Sequence, residues 1–157
     1  MAGGHHEGVP TKLIYLDACA LLRPYDDLSQ PRVRLEADAV GLILAHVRTG
    51  RLALAVSRAH FRELPALAAD DETLAIRALL ERFGRPISPD RAILARTRQW
   101  MTAGLGVADA AHLAFAEAAG ADFVTCDDRL SRRAGRLGAA HVWVGGPVAF
   151  CLKEELR

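Results

Sequence analysis

GVADAAHLAFAEAAGADFVTCDDRLSRR, residues 106–133, is the stretch whose reading decides the fold. Asp109 opens an alanine-rich run with the composition of a helix, and Gly120 stops it, as glycine commonly does just past a helix end. A short apolar segment, Ala121 to Cys126, follows and ends on Asp127 and Asp128, after which an arginine-rich helical pattern runs from Arg129 to Arg136. Helix, short buried strand, helix is the alternation of an α/β fold. Such folds place their sites in the crevice outside the carboxyl ends of their parallel strands.

Upstream of this stretch, Ser88-Pro89 reads as a helix start, with Ser as cap and Pro in the first position; that helix reaches roughly Thr102, and Gly104 and Gly106 bracket a turn. Downstream, Gly138 lies past the arginine-rich helix, Ala140 to Val144 reads as a strand, and Gly145-Gly146-Pro147 turns the chain into a last short helix. The N-terminal half repeats the alternation. Leu13 to Leu16 is a buried strand ending on Asp17, and Ala18 to Leu22 begins a helix. Pro24 to Pro31 is a loop in which Asp26 and Asp27 are solvated turn residues. Val33, Ala37, Val40, Ile43, Leu44 and Val47 recur with a helical period over Arg32 to Thr49, between Pro31 and Gly50. Leu52 to Val56 is a second strand; Ser57 caps a helix that carries Glu63 and that Pro65 interrupts. Asp70 and Asp71 open a further helix, Gly84 closes it, and Ile87 marks a very short strand. Short continuous apolar strands alternating with helices predict an α/β/α sandwich of three layers around a mainly parallel sheet of four to five strands. Residues 1–11 read as a flexible tail and residues 12–157 as a single domain.

With 51% apolar residues the chain is not disordered, and with a formal charge of +1 it is no bulk polycation. Nucleic acid, if bound, meets a local patch. Three cysteines, Cys19, Cys126 and Cys151, make no disulfide framework and fit a reducing cytoplasm. No apolar run approaches the roughly 20 residues of a spanning helix, and the N-terminus lacks the apolar core of a secretory signal. His5 and His6 are a Gly-flanked pair without a ligand pattern around them.

Four carboxylates stand at element junctions: Asp17 after the first strand, Glu63 on the helix after the second, Asp109 at a helix start, and Asp127 after the next strand. Each has a local explanation. Asp17 can cap a helix, Asp109 complements a helix dipole, Asp127 or Asp128 can cap the arginine-rich helix, and Glu63 can be a solvated helix residue. Jointly they mean more, because a parallel sheet brings strand ends to one edge. Carboxylates about 5 Å apart repel by roughly 3 kcal/mol per pair at an effective dielectric of 20. A cluster of four therefore takes up protons or binds a divalent cation, and hard oxygen ligands suit Mg²⁺ or Mn²⁺. No His/Cys spacing matches a structural zinc site.

The run LDACALL around Asp17, the REL around Glu63, VADAAHLAFAEAAGADFVTCDDRL from Val107 to Leu130, and the order of these pieces resemble a PIN domain, and within that family the VapC-like toxins of toxin–antitoxin pairs. The resemblance covers about Leu13 to Val144. It implies a Mg²⁺- or Mn²⁺-dependent endoribonuclease whose acidic quartet falls on Asp17, Glu63, Asp109 and Asp127. Asp17, Asp109 and Asp127 then hold the metal directly or through waters, and Glu63 completes the shell or orients the attacking water. It also implies a hydroxyl at Thr125, a cognate antitoxin and a homodimer; the lack of a spanning run implies no membrane association. Ala18 and Cys19 stand where the family usually has a hydroxyl or amide residue.

His112, one turn after Asp109, is either a packed helix histidine or a contact to the site or substrate. Arg129 and Arg132, in a basic helix with Arg133 and Arg136, are candidate RNA contacts, and Arg23, Arg58 and Arg62 also lie near acid-bearing junctions. Trp100 and Trp143 read as core. Two other readings stay open. A receiver-like phosphoryl-transfer protein also uses strand-end acids with Mg²⁺ but needs a lysine at a late strand end, where this chain has none. A PIN-like fold kept for protein or RNA binding needs no catalysis at all.

Overall fold

The structure, a computed structural model, describes residues 11–136, Arg136 through its backbone alone, and residues 140–157. His5, His6 and Gly138 lie outside the described residues.

Five strands form one all-parallel sheet. They are β1 (Lys12–Leu16), β2 (Leu52–Val56), β3 (Gly84–Pro86), β4 (Asp122–Val124) and β5 (Val144–Gly145), in the order β3-β2-β1-β4-β5. The register pairs Leu13 with Ala53 and Tyr15 with Phe123. Among the described residues eight α-helices cover the sheet: α1 (Ala18–Leu22), α2 (Pro31–Arg48), α3 (Arg58–Leu67), α4 (Asp70–Phe83), α5 (Arg91–Thr102), α6 (Val107–Ala119), α7 (Asp128–Arg136) and α8 (Pro147–Lys153).

Successive side chains of a strand point to opposite faces, so β1 supplies both cores. Ile14 and Leu16 join α1, α2, α4 and Phe150 of α8 on one face. Tyr15 joins α5, α6, α7 and Phe123 on the other. The expected three layers and parallel sheet are present, with five strands.

Several boundaries differ from the sequence reading, each for a physical reason. The strand expected to reach Cys126 ends at Val124, because the Asp17 N–H takes the Val124 carbonyl (3.2 Å) just as the chain of β1 turns into α1. The strand expected over Ala140 to Val144 is shorter and later: ladder contacts begin at the Trp143 carbonyl, which accepts from Phe123 N–H at 2.8 Å. Strand β3 sits on Gly84–Pro86 rather than at Ile87, whose N–H closes its end on the Val56 carbonyl (2.8 Å). Gly84 serves the turn from α4 because a Cβ there would collide with the Leu80 carbonyl oxygen and the Val56 side chain. The cap of α5 is Asp90, whose carboxylate accepts from Ile93 N–H at 2.8 Å, and not Ser88. Pro65 does not stop α3; two more helical residues follow it, and Ala68 N–H closes the end on the Leu64 carbonyl. A proline so near a helix end removes one hydrogen bond without leaving a long segment to misalign. Gly120 ends α6 in the left-handed conformation (φ 65°) that glycine adopts without strain.

Candidate active site

All four acids lie at or beside the carboxyl edge of the sheet, each delivered by a junction. Asp17 follows β1 and caps α1, accepting from Ala20 N–H at 2.9 Å through Oδ1. It is only 2% exposed. Burial pushes its pKa up from 3.8 to about 6, further raised by the Asp109 charge and partly offset by a hydrogen bond from the Thr125 hydroxyl and by His112. Asp109 lies in the first turn of α6 and is half-buried. Its pKa is raised by burial first and then by the charges of Asp127 and Glu63. Asp127 follows β4, and its Oδ1 accepts from Arg129 N–H (2.9 Å) and Leu130 N–H (3.3 Å). Asp127 is thus the cap of α7.

Asp128, the other candidate for that cap, instead is the first residue of the helix and forms a two-pronged ion pair with Arg32 of α2 (2.7 and 2.8 Å). The pair ties α7 to the opposite layer, which local spacing cannot show. Glu63, on α3, reaches the same edge, where its Oε1 lies 3.1 Å from His112 Nε2. Convergence shows at Cys19: burial pushes its thiol up to about 12, and Asp17, Glu63, Asp109 and Asp127 all push in the same direction. That thiol is no nucleophile at neutral pH.

Thr125 is buried, accepts from Asp127 N–H (3.1 Å) and hydrogen-bonds Asp17, so one hydroxyl links the acids of β1 and β4. His112 is fully buried, with its other ring nitrogen 2.5 Å from the Tyr15 hydroxyl. The Tyr15 hydroxyl also meets Ser57 Oγ at 2.7 Å, and burial keeps this phenol neutral. His60 fills the place of the Glu or Gln in a capping box. Its Nδ1 accepts from Ser57 N–H (3.1 Å), its other nitrogen meets the Leu16 carbonyl (2.7 Å), and burial lowers its pKa to about 3. Sequence reasoning missed this polar group; its one signal was a tyrosine inside a buried strand, since a buried phenol needs a partner.

A family model of the PIN domain matches residues 14–136. The chain belongs to the PIN domain family. The match spans Asp17, Glu63, Asp109, Thr125 and Asp127. PIN domains are generally nucleases, and they generally use divalent metal ions. The crystal structure of FitAcB from Neisseria gonorrhoeae is similar in fold, with a TM-score of 0.52 and 22% identity over 85% of this chain and 97% of that one. No curated protein matches the sequence.

The donor set of this PIN domain fits a hard cation. Its candidate ligands are carboxylate oxygens, and Asp17 is an acid whose ionised form is costly without a nearby positive charge. Among the described residues no three His, Cys, Asp or Glu side chains are grouped closely enough to hold an ion by themselves.

Asp109 and Asp127 line a recess of about 190 Å³ with Arg129 and Arg133 at its rim. Arg132 points elsewhere, its Nε donating to the Asp128 carbonyl (3.2 Å). On the other side of Asp127, Cys19, Arg23 and Cys126 line a second recess of about 330 Å³. A larger groove of about 530 Å³ between α3, α5 and α6 has Glu63 at its edge, an apolar floor including Leu94, Met101 and Val107, and Arg58, Arg62 and Arg98 around it. Lys153 and Lys12 pair with Asp122 at the amino end of β4 (2.8 and 3.4 Å), away from the acids, which leaves the receiver-like reading without its lysine.

Proposed function

We propose that this PIN domain is an endoribonuclease that hydrolyses RNA phosphodiester bonds with Mg²⁺ or Mn²⁺, the VapC-like toxin of a type II toxin–antitoxin pair. The observation that carries the reading is convergence: Asp109 at the start of α6 and Asp127 after β4 line one recess, and Asp17 after β1, buried with its pKa raised to about 6, feels the Asp109 charge. A bound divalent cation would lower the pKa of a coordinated water and offset charge building on the phosphate oxygens. Asp17, Asp109 and Asp127 are the side chains that would hold it. Asp127 keeps Oδ2 free of any hydrogen bond among the described residues while Oδ1 is fixed by the α7 amides. Glu63 stands at the edge of the site to orient the attacking water, and Thr125 sets the spacing of Asp17 and Asp127. Arg129, at the rim of the recess, would take a phosphate, with Arg132 on the next turn of the same helix reaching a more distant one.

The resemblance to VapC-like toxins further supports an antitoxin partner that would cover the acids, and a homodimer. The exposed side chains of Leu94, Met101 and Val107 in the groove between α3, α5 and α6 supply an apolar face for the second copy. Three free cysteines suit a reducing cytoplasm, and among the described residues no helix is long and apolar enough to cross a membrane.

The test is cleavage of a pool of cellular RNAs with Mg²⁺ or Mn²⁺, with EDTA and Asp109→Asn as controls. Cleavage abolished by both controls supports the enzyme. A specific departure favours a second reading, a non-catalytic PIN-like binding module: Ala18 and Cys19 supply no hydroxyl beside Asp17. RNA bound but left intact at every metal concentration would favour it.

A further inference from the structure

Resting on the nuclease reading, we infer that Ser57, Tyr15 and His112 form a one-directional hydrogen-bond relay that positions the Glu63 carboxylate at the edge of the site. Tyr15 is the residue on which the relay turns.

The hydrogens have one arrangement that satisfies every group. Ser57 Oγ accepts from Ala59 N–H (3.2 Å), so its single proton goes to the Tyr15 hydroxyl oxygen at 2.7 Å. The Tyr15 proton then goes to His112 Nδ1 at 2.5 Å. Nδ1 is therefore the acceptor nitrogen, the ring proton sits on Nε2, and Nε2 donates to Glu63 Oε1 at 3.1 Å. The reverse order fails at both ends. The Ser57 proton would find no acceptor among the described residues, and a neutral His112 would turn a lone pair toward a carboxylate. A doubly protonated ring still leaves the Ser57 proton orphaned, and buried donors are rarely left unsatisfied.

The surroundings hold Tyr15 where the relay needs it. His60 stacks on its ring at 4.5 Å and Phe123 lies on it at 5.7 Å, both nearly parallel. Both nitrogens of His60 are already committed, to Ser57 N–H and to the Leu16 carbonyl. The phenol cannot tilt away or exchange partners without breaking this packing.

The relay also sets distances between acids. Tyr15 is two residues before Asp17, which follows β1 in extended backbone (φ −70°, ψ 174°) and so continues the alternation of the strand. His112 is three residues after Asp109 on α6, which in a helix is the same side. Glu63 is six residues after Ser57, its helix's own cap. Three elements that each bring one acid are thus joined through buried polar atoms. Glu63 has no other hydrogen bond among the described residues, so His112 alone fixes its Oε1 and leaves Oε2 for the site.

The deciding measurement is the tautomer of His112 in the metal-free, full-length protein, read from ring nitrogen chemical shifts with ¹⁵N-labelled histidine. The wild type is expected to show Nε2–H with an unprotonated Nδ1. In Tyr15→Phe, which keeps the stacked ring, Nδ1 loses its donor and both tautomers are expected. In the loaded enzyme Tyr15→Phe is expected to lower kcat about 10-fold with KM for RNA unchanged, the size typical of losing a group that orients a site residue. In a Glu63→Gln background the same change is expected to cost less than 2-fold, since the relay acts through that carboxylate. A wild-type Nδ1–H tautomer overturns the proposal, and so do losses that multiply independently in the double variant. A Tyr15→Phe chain that fails to fold leaves the decision with the wild-type tautomer. Failure of the nuclease reading is seen separately, as wild-type protein that cleaves no RNA, because the tautomer is measured without metal or substrate.

Discussion

Asp17→Asn separates stability from function more cleanly than any other change to this chain. In the folded protein Asp17 titrates near pH 6, in the unfolded chain near 3.8, and the shift is caused mainly by burial. Two units at about 1.4 kcal/mol each amount to about 3 kcal/mol. The sign follows from which state binds the proton more tightly. Below pH 3.8 both states carry it and the folded state bears no cost. Between 3.8 and about 6 the unfolded chain has lost the proton while the folded chain keeps it, so stability falls as pH rises. Above about 6 the full cost is in place. Asn carries no charge to desolvate, caps helices as well as Asp does, and can still accept from Ala20 N–H. Metal-free Asp17→Asn at pH 7 is therefore expected to be more stable than the wild type by up to about 3 kcal/mol, a rise in Tm of roughly 6–12 °C for a domain of this size. At pH 4 the gap should shrink to about 0.5 kcal/mol. Mn²⁺ at a hundred times its Kd should raise the wild-type Tm by the equivalent of about 2.7 kcal/mol and leave the variant nearly unmoved, and the variant should cleave no RNA. Calorimetric melts across pH 4–7 with and without Mn²⁺ measure all of this. An Asn variant less stable than wild type at pH 7, with the same gap at pH 4, would refute the claim that Asp17 is a charge held at a cost.

Asp109→Asn is expected to abolish cleavage and weaken Mn²⁺ binding by at least 10-fold while leaving the fold intact, measured by titration calorimetry beside an RNA assay. Arg129→Glu places a negative charge at the rim of the recess that holds Asp109 and Asp127; it should raise KM for RNA about 10-fold or more and flatten the salt dependence of binding. Met101→Asp puts a charge into the exposed apolar groove, and sedimentation should show monomer in place of dimer with the melting temperature little changed. Glu117→Ala removes a carboxylate that takes two hydrogen bonds from Arg96 (3.0 and 2.9 Å) and leaves Trp100 Nε1 without this acceptor (2.5 Å). Urea unfolding should show a loss of about 3 kcal/mol, the usual result of removing one member of a mostly buried pair.

The sheet was legible because its signals are local. LIYL and LALAV are unbroken apolar runs between turn residues, and the helices between them carry their own periods and caps. Errors fell where a long-range partner decides a local choice. Whether β4 ends at Val124 or Cys126 depends on Asp17, more than a hundred residues away, taking the Val124 carbonyl. Asp127 and Asp128 are equally good caps by spacing, and Arg32, 96 residues from Asp128, removes one of them from the choice. The same limit hid the partners of Tyr15, which lie 42 and 97 residues away in the chain. No period or cap rule reports such a contact, because each partner alone looks like a cap residue or a packed histidine.

For two of the acids the local and the functional explanations hold together. Asp17 caps α1 and Asp127 caps α7, as the plain reading of each residue type requires. A cap lies where a parallel strand hands over to its helix, and that is the sheet edge where such folds put their sites. Capping fixes one oxygen against backbone amides and thereby aims the other. It also sets the carboxylate at the positive end of a helix, where its charge is favoured. Asp17 shows the limit of that support, because burial still outweighs the amide and the hydroxyl and drives its pKa up. What the cap leaves uncompensated on Asp17 is the quantity a divalent cation would have to supply, and the pH-dependent melts of Asp17→Asn measure it without reference to any substrate.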